Sequence, residues 1–401
     1  MMKTTCLFTI LLLAVVGCTE SRESLLEKTL ANVENVKFAA YYERARSWAP
    51  GDSLYQETLW YQKEYDNPAD TTIGASFLTW HADDTTALYG CYDGRVLMYL
   101  DHENRRVSLD DFTSRSLPFR PVSAPFFNYT RSILRYLLTT TDSIDVQWLD
   151  DSPDSHHLRL TIHEDRQIEF FGHAQRMPES PFMSLDPTST YDLWIGKSDY
   201  LPRKVKRQMA HDISEDSCML VQLNEEEASA IHAETYIPSG YAVHYRGEQG
   251  LVPSTHPLLG KPAPAWSLTD AWGKPYSLSD TESRVVVMNF TGIGCGPCYA
   301  AIPFLNELPG HFSPGDCEVV SVECWGHKPH SLRVYADKNK LKYRFLVGSD
   351  AIIQDYLGGK RGVPVFVILD DRRIVRKVLI GYNPDSQGRD ILQAVSEVLG
   401  K

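Results

Sequence analysis

Two hydrophobic rhythms divide the chain. Over residues 21–35, Leu25, Leu26, Leu30 and Val33 recur at helical spacing, with Glu23 and Glu27 in the early turns, which predicts an amphipathic helix. Short runs rich in Tyr, Trp, Thr, Val and Leu follow, separated by Asp, Asn, Gly and Pro. The runs at 37–46, 54–64, 75–80, 87–92, 95–100, 144–149, 157–162, 167–171, 191–195, 203–208, 218–223 and 231–236 predict a curved antiparallel sheet or part-open barrel. One helix interrupts them at 127–138, where Ile133, Leu134, Leu137 and Leu138 line up.

Gly250, Pro253, Pro257, Gly260, Pro262 and Pro264 mark residues 247–264 as a linker. After Trp266 strands alternate with helices. The continuous apolar run Val285, Val286, Val287, Met288, Asn289, Phe290 predicts a central strand buried on both faces. Strands at 266–268, 276–278, 318–322, 365–369 and 374–380 and helices after Cys295 and at 331–340, 351–356 and 386–399 complete a βαβ unit, a hairpin and a last helix. The fold class is thus an α+β N-terminal domain followed by an α/β domain, with boundaries at 18–246 and 265–401.

The N-terminus changes the picture. Lys3 and the apolar stretch 7–16, too short to span a bilayer, read as an export signal over residues 1–17. The signal ends at Val15-Val16-Gly17-Cys18, which resembles a bacterial lipobox. That resemblance implies lipidation of Cys18 and anchoring to a membrane on its extracytoplasmic side, at the periplasmic face or outer membrane. The formal charge of −12 argues against nucleic-acid partners. From Thr255 onward there are 17 basic and 15 acidic residues, against 40 and 52 in the whole chain, so the acidity belongs to the N-terminal part.

The candidate chemistry lies in Cys295-Gly296-Pro297-Cys298, two thiols three residues apart at a strand-to-helix junction. Cys295 at a helix N-terminus has its thiolate stabilised by unpaired N–H groups and the helix dipole. Cys298, one turn on, can reach its sulfur. Half of a zinc site, completed by Cys324, His327 and His330, is the bland alternative. Such sites usually close small loops, whereas a strong strand precedes this pair. Cys91 and Cys218 are either a structural disulfide or two buried thiols. Cys317 and Cys324 read as buried thiols at opposite ends of one strand.

Residues 255–401 resemble thioredoxin, and most of all the membrane-anchored TlpA/ResA-like thiol–disulfide oxidoreductases. The resemblance rests on Gly260-Lys261-Pro262-Ala263-Pro264, Leu268-Thr269-Asp270, Gly273-Lys274, Ser277-Leu278-Ser279-Asp280, the cysteine motif, Pro303 and Gly362-Val363-Pro364. It implies a cis peptide before Pro364 and a Val363 backbone that pairs with substrate. It also implies no cofactor, disulfide-containing or dithiol client proteins, and a membrane electron donor. Gly294 stands where thioredoxin has Trp, so a less shielded site is expected. Asn289 replaces the buried acid, which leaves Glu323, at the end of the next parallel strand, as a candidate proton acceptor. A related peroxidase is a rival reading, but its Thr-x-x-Cys register is broken because Gly292 precedes Cys295 by three.

Residues 20–244 resemble the LolA-like lipoprotein-carrier fold. The likeness is carried by the helix-then-strand opening, Tyr92-Asp93-Gly94-Arg95-Val96-Leu97-Met98-Tyr99, Tyr191-Asp192-Leu193-Trp194-Ile195 with Tyr200-Leu201-Pro202-Arg203-Lys204-Val205, and Ile237-Pro238-Ser239-Gly240-Tyr241. It implies an apolar ligand, such as acyl chains or an unfolded peptide. The competing functional reading is therefore a carrier module with an accessory redox domain.

Overall fold

The computed structural model describes residues 21–113, 122–177, 186–225, 231–245, 256–359, 362–382 and 388–400, so the export segment and Cys18 lie outside the described residues. Helix α1 (Arg22–Glu34) begins where Ser21 accepts the Ser24 N–H at 3.1 Å, and buries Leu25, Leu26 and Val33. The strands that follow are β1 (Phe38–Trp48), β2 (Gln56–Asp66), β3 (Ala75–His81), β4 (Asp84–Tyr92), β5 (Leu97–Asp101) and β6 (Arg106–Asp110). After helix α2 (Phe126–Thr139) come β7 (Ile144–Trp148), β8 (Ser155–Ile162), β9 (Ile168–Phe170), β10 (Ala174–Arg176), β11 (Ser189–Gly196), β12 (Pro202–Gln208), β13 (Ile213–Leu223) and β14 (Ala242–Tyr245). Twelve of these strands form one sheet, ordered β14-β6-β5-β4-β3-β2-β1-β13-β12-β11-β8-β7, and only the β14–β6 pair is parallel.

Among the described residues this N-terminal part is mostly strand, with two α-helices packed on one stretch of the sheet. Ile133 and Leu134 of α2 and Leu25, Leu26 and Val33 of α1 share a core with Tyr41, Leu158, Leu160, Tyr191 and Leu193. Helix α2 has no side-chain cap of its own at Pro125. Glu64 of β2 supplies one, accepting the N–H groups of Phe127 (3.0 Å) and Asn128 (2.7 Å), while the Tyr41 hydroxyl accepts that of Phe126 (2.9 Å). The helix is thus tied to the sheet at the end where its amides would otherwise be orphaned.

The second unit opens with the hairpin β15 (Ser267–Thr269) and β16 (Pro275–Ser277). It continues with β17 (Val285–Thr291), α3 (Gly296–Glu307), β18 (Cys317–Glu323), α4 (Pro329–Lys338), β19 (Arg344–Val347), α5 (Asp350–Leu357), β20 (Val365–Leu369), β21 (Val375–Ile380) and α6 (Arg389–Leu399). Its sheet runs β19-β18-β17-β20-β21, with β17, β18 and β19 parallel and β20 antiparallel to β17. All seven residues of β17 are buried. Val286, Met288 and Phe290 point into a core with Tyr356 of α5 and Trp266, whereas Val285 and Val287 meet Leu305 of α3 and Val395 of α6. A strand covered on both faces needs the unbroken apolar run that the sequence carries.

Several expectations need correction. The run at 231–236 is a 3-10 turn (Ala233–Tyr236), not a strand. Strands β6, β10, β14 and β19 went unread: β10, β14 and β19 are only three or four residues long and too short to show a period, and β6, although it alternates at Val107 and Leu109, is a single five-residue run between charged ends. The second half of the Pro- and Gly-rich segment is not a loose tether. Leu258, Leu259 and Ala263 pack on the second core, the Gly260 N–H donates to Val375 O (2.8 Å), and the Val375 N–H donates to Lys261 O (2.9 Å).

Candidate redox site

Strand β17 ends at Thr291, and Gly292, Ile293 and Gly294 turn the chain into α3. Gly294 has φ +87°, which a side chain would strain. Cys295 is the N-cap of α3. Its Sγ lies 3.3 Å from the Cys298 N–H, and Pro297 sits in the first turn, where its missing N–H costs nothing. Cys295 and Cys298 are joined in a disulfide with Cα atoms 5.3 Å apart. Both residues are buried, Cys295 at 5% exposure and Cys298 at 2%. The Val363–Pro364 peptide is cis, and the Cys295 Sγ lies 3.8 Å from the Val363 carbonyl oxygen. The two segments singled out in sequence, 295–298 and 363–364, therefore meet although 68 residues separate Cys295 from Val363.

Asn289 lies in β17 beneath this junction, 2% exposed. Its Nδ2 donates to Ser321 Oγ at 2.9 Å, and its Oδ1 has no hydrogen-bond partner among the described residues. Glu323 ends β18 as expected, but its surroundings are those of a positioning group. One carboxylate oxygen accepts the Trp325 N–H (2.9 Å) and the His327 Nδ1–H (3.0 Å), and the other accepts the N–H groups of Gly326 (2.9 Å) and His327 (3.0 Å). All four lone-pair directions of the carboxylate are taken. Glu323 thus holds the 325–327 loop against the sheet.

The residues imagined as the second half of a zinc site have separate partners. Cys324 Sγ contacts Val322 O, His327 is bound by Glu323, and His330 Nε2 lies 3.5 Å from Asp52. Cys91 and Cys218 are not joined. They sit in different cores, and burial pushes the Cys91 thiol up to about 12 and the Cys218 thiol well up. Cys317 is likewise pushed up to about 12, by burial first and then by Glu318.

A less shielded site was the expectation at Gly294, and here the structure differs. The turn between β12 and β13 brings Asp212 Oδ1 to 3.6 Å from where a Gly294 Cβ would stand. The indole of Trp325 lies against Gly292, 2.5 Å from where its Cβ would be. Ala49, from the β1–β2 connection, is buried with Ile293, Ile302, Leu332, Tyr335 and Phe345. The N-terminal sheet therefore walls one side of the redox face. Two glycines in three residues before Cys295 were the signal for this; in the sequence Gly294 reads as a loss of shielding and Gly292 speaks only against a peroxidase.

Bonded cysteines heading a helix, a cis proline opposite them and this strand order give residues 256–400 the fold of thioredoxin, and this domain is similar to the TlpA/ResA-like thiol–disulfide oxidoreductases. The AhpC/TSA family pattern matches residues 259–378. The chain is 27% identical over 124 residues to the thiol-disulfide oxidoreductase ResA of Geobacillus kaustophilus, covering 31% of this chain and 70% of that one. It is 27% identical over 124 residues to the thioredoxin-like protein YneN of Bacillus subtilis, covering 30% and 71%. Among solved structures it is similar to a thioredoxin-family thiol:disulfide interchange protein of Chlorobium tepidum, with 23% identity, TM-score 0.31, and coverage of 35% of this chain and 96% of that one.

Proposed function

We propose that the protein exchanges thiols and disulfides with client proteins through Cys295 and Cys298, outside the cytoplasm and on a lipid tether at Cys18. The observation that carries the reading is the Cys295 sulfur at a helix N-terminus, 3.8 Å from the carbonyl beside cis Pro364. In the reducing direction the Cys295 thiolate attacks one sulfur of a client disulfide, and the other leaves as a thiolate. Cys298, deprotonated, then attacks the Cys295 sulfur of the mixed disulfide and releases the second client thiolate. The client gains two electrons and takes up two protons, and the protein is left with the 295–298 disulfide seen here. A membrane thiol donor, oxidised in turn, would restore the dithiol.

Net reduction or isomerisation fits Gly-Pro between the cysteines. The Val363 backbone, beside the sulfur, is suited to pair with an extended client segment. Gly292 at the third position before Cys295 disfavours a peroxidase. The carrier reading has less support. Cavities of about 280 Å³ and 480 Å³ in the N-terminal part have mixed linings, Phe170, Phe171 and Tyr129 beside Glu169 and Arg207 in one and Tyr65 and Ile231 beside Asp66 and Asp70 in the other, so an acyl chain there would share its surroundings with charge. The likeness to LolA stands on strand order and sequence phrases.

Trapping tests the assignment. The variant Cys298→Ser should accumulate clients disulfide-linked to Cys295, and adducts that persist in Cys295→Ser/Cys298→Ser would sink it. Cys18→Ala should release the protein from membranes, and continued membrane association would remove the tether.

A further inference from the structure

The turn between β12 and β13 carries charge from the N-terminal sheet to the redox face. It is closed by the Met209 N–H, which donates to Asp212 O at 2.8 Å, and Met209 is buried in the N-terminal core. Asp212 Oδ2 pairs with the Arg207 guanidinium. Arg207 also binds Glu169 Oε1 (2.7 Å) and donates to Ser214 Oγ (3.3 Å), so the carboxylate is fixed in place. The other oxygen, Oδ1, has no hydrogen-bond partner among the described residues and stands 3.6 Å from where a Gly294 Cβ would be.

That separation puts the carboxylate within about 5 Å of the Gly294 Cα and, one peptide further, within about 9 Å of the Cys295 Cα. Two acids share one guanidinium, so Glu169, Arg207 and Asp212 together carry one formal negative charge. On the redox unit, residues 289–298 and 362–365 hold no ionisable side chain except the two cysteines. Of the titratable groups on the elements packed here, Glu323 and His327 bind each other, Asp52 faces His330, and burial pushes Tyr299 and Tyr335 up, which keeps them neutral. His211, beside Asp212, is pushed down by burial first, and its buried Nδ1 has no partner among the described residues. A negative charge near a sulfur disfavours its thiolate and opposes the helix N-terminus, which favours it.

We infer that Asp212 is a positioning residue of the redox site, through which the N-terminal sheet holds back ionisation of Cys295 and so sets the pH at which that sulfur attacks. This rests on the thiol–disulfide reading and adds its regulation. The sheet is then an electrostatic part of the site, and the cysteines do the chemistry described above.

The test uses the full chain with Cys298→Ser, reduced, so that Cys295 is the one thiol of the pair. Alkylation of Cys295 by iodoacetamide is followed from pH 5 to pH 10 by peptide mass. Adding Asp212→Asn keeps the shape and removes the charge. The midpoint should fall by about 0.5 pH unit, which speeds alkylation about 3-fold on the acid side, with no rise in the plateau at high pH. Asp212→Glu should keep the original midpoint. A midpoint that Asp212→Asn leaves unmoved or raises overturns the inference, and so does an equal shift with Asp212→Glu. A raised plateau overturns it too, because that reports undocking of the sheet instead of lost charge. If Cys295 is alkylated at no pH with or without Asp212, the thiol–disulfide reading itself falls, and this inference with it.

Discussion

The indole of Trp325 lies on the backbone of Gly292, so close that a Cβ there would stand 2.5 Å from the ring. A methyl group at Gly292 cannot share that space, so Gly292→Ala must push Trp325 away from the approach to Cys295. The expected cost is about 1–3 kcal/mol of stability, typical of overpacking, with a change in tryptophan emission. Equilibrium urea unfolding followed by fluorescence measures both, and an unchanged spectrum would show that the ring does not lie there.

Glu323 and His327 set the loop that carries this tryptophan. Glu323→Ala removes the acceptor of three backbone N–H groups in a site where Glu323 is 1% exposed. The three donors are only part-buried and water can reach them, so the loss is expected to be roughly 1–2 kcal/mol, below the ~1–3 kcal/mol each that fully buried donors would cost. Thermal unfolding of the variant checks it. A melting point equal to wild type would mean that the loop is held by something else.

Ala49 is 3% exposed between the two units. Ala49→Arg places a long cation in that apolar cluster and should undock the β1–β2 connection from α4. After reduction, alkylation of Cys295 by iodoacetamide should then run several-fold faster than in wild type. Equal rates, with undocking verified by hydrogen exchange at Leu332 and Tyr335, would remove the shielding role from the sheet.

Burial pushes the carboxyl groups of Glu43 and Glu64 up to about 7. Their protons are bound more tightly in the folded chain than in the unfolded one, where the ordinary value is 4.5. Between those values the native state holds more protons, so the stability these groups confer is complete below about pH 4.5 and is lost as pH rises through 7. Urea unfolding at pH 5 and pH 7.5 should give the higher free energy at pH 5, and Glu43→Gln should flatten the slope. A slope of opposite sign, restored by neither variant nor salt, would contradict the assignment.

Thiol titration separates structural from reactive cysteines. Cys91, Cys218 and Cys317 are buried with thiols pushed up, and Cys324 is fully buried. A reduced, native chain lacking Cys6 and Cys18 should give two equivalents with Ellman's reagent, because Cys295 at the helix N-terminus attacks first and Cys298 then displaces the mixed disulfide, and six after denaturation. More than two in the native state would place another thiol at the surface.

Much of this was legible in the sequence because it is local. The run at 285–290 dictates a strand covered on both faces, the cysteine spacing dictates a bond across one helical turn, and the helical spacing of Leu25, Leu26, Leu30 and Val33 dictates α1. Elements whose residues say little by themselves were missed. Strand β19 is four residues long, and β14 is exposed throughout and exists only because β6 offers an edge. Glu323 was read from its strand position alone. Its job was decided by three amides and an imidazole that a turn folds around it.

The sequence by itself determined the cysteine pair, the strand-to-helix junction that holds it and the half of the chain where it lies, because periodicity and covalent spacing are properties of neighbours. Tertiary structure alone decided what surrounds them. Gly292 and Gly294 are vacancies in the sequence, and only folding shows that Trp325 and Asp212 approach them. Contacts between residues tens to hundreds of positions apart depend on how two sheets dock, and docking is settled by shape and burial across the whole surface, which no local pattern encodes.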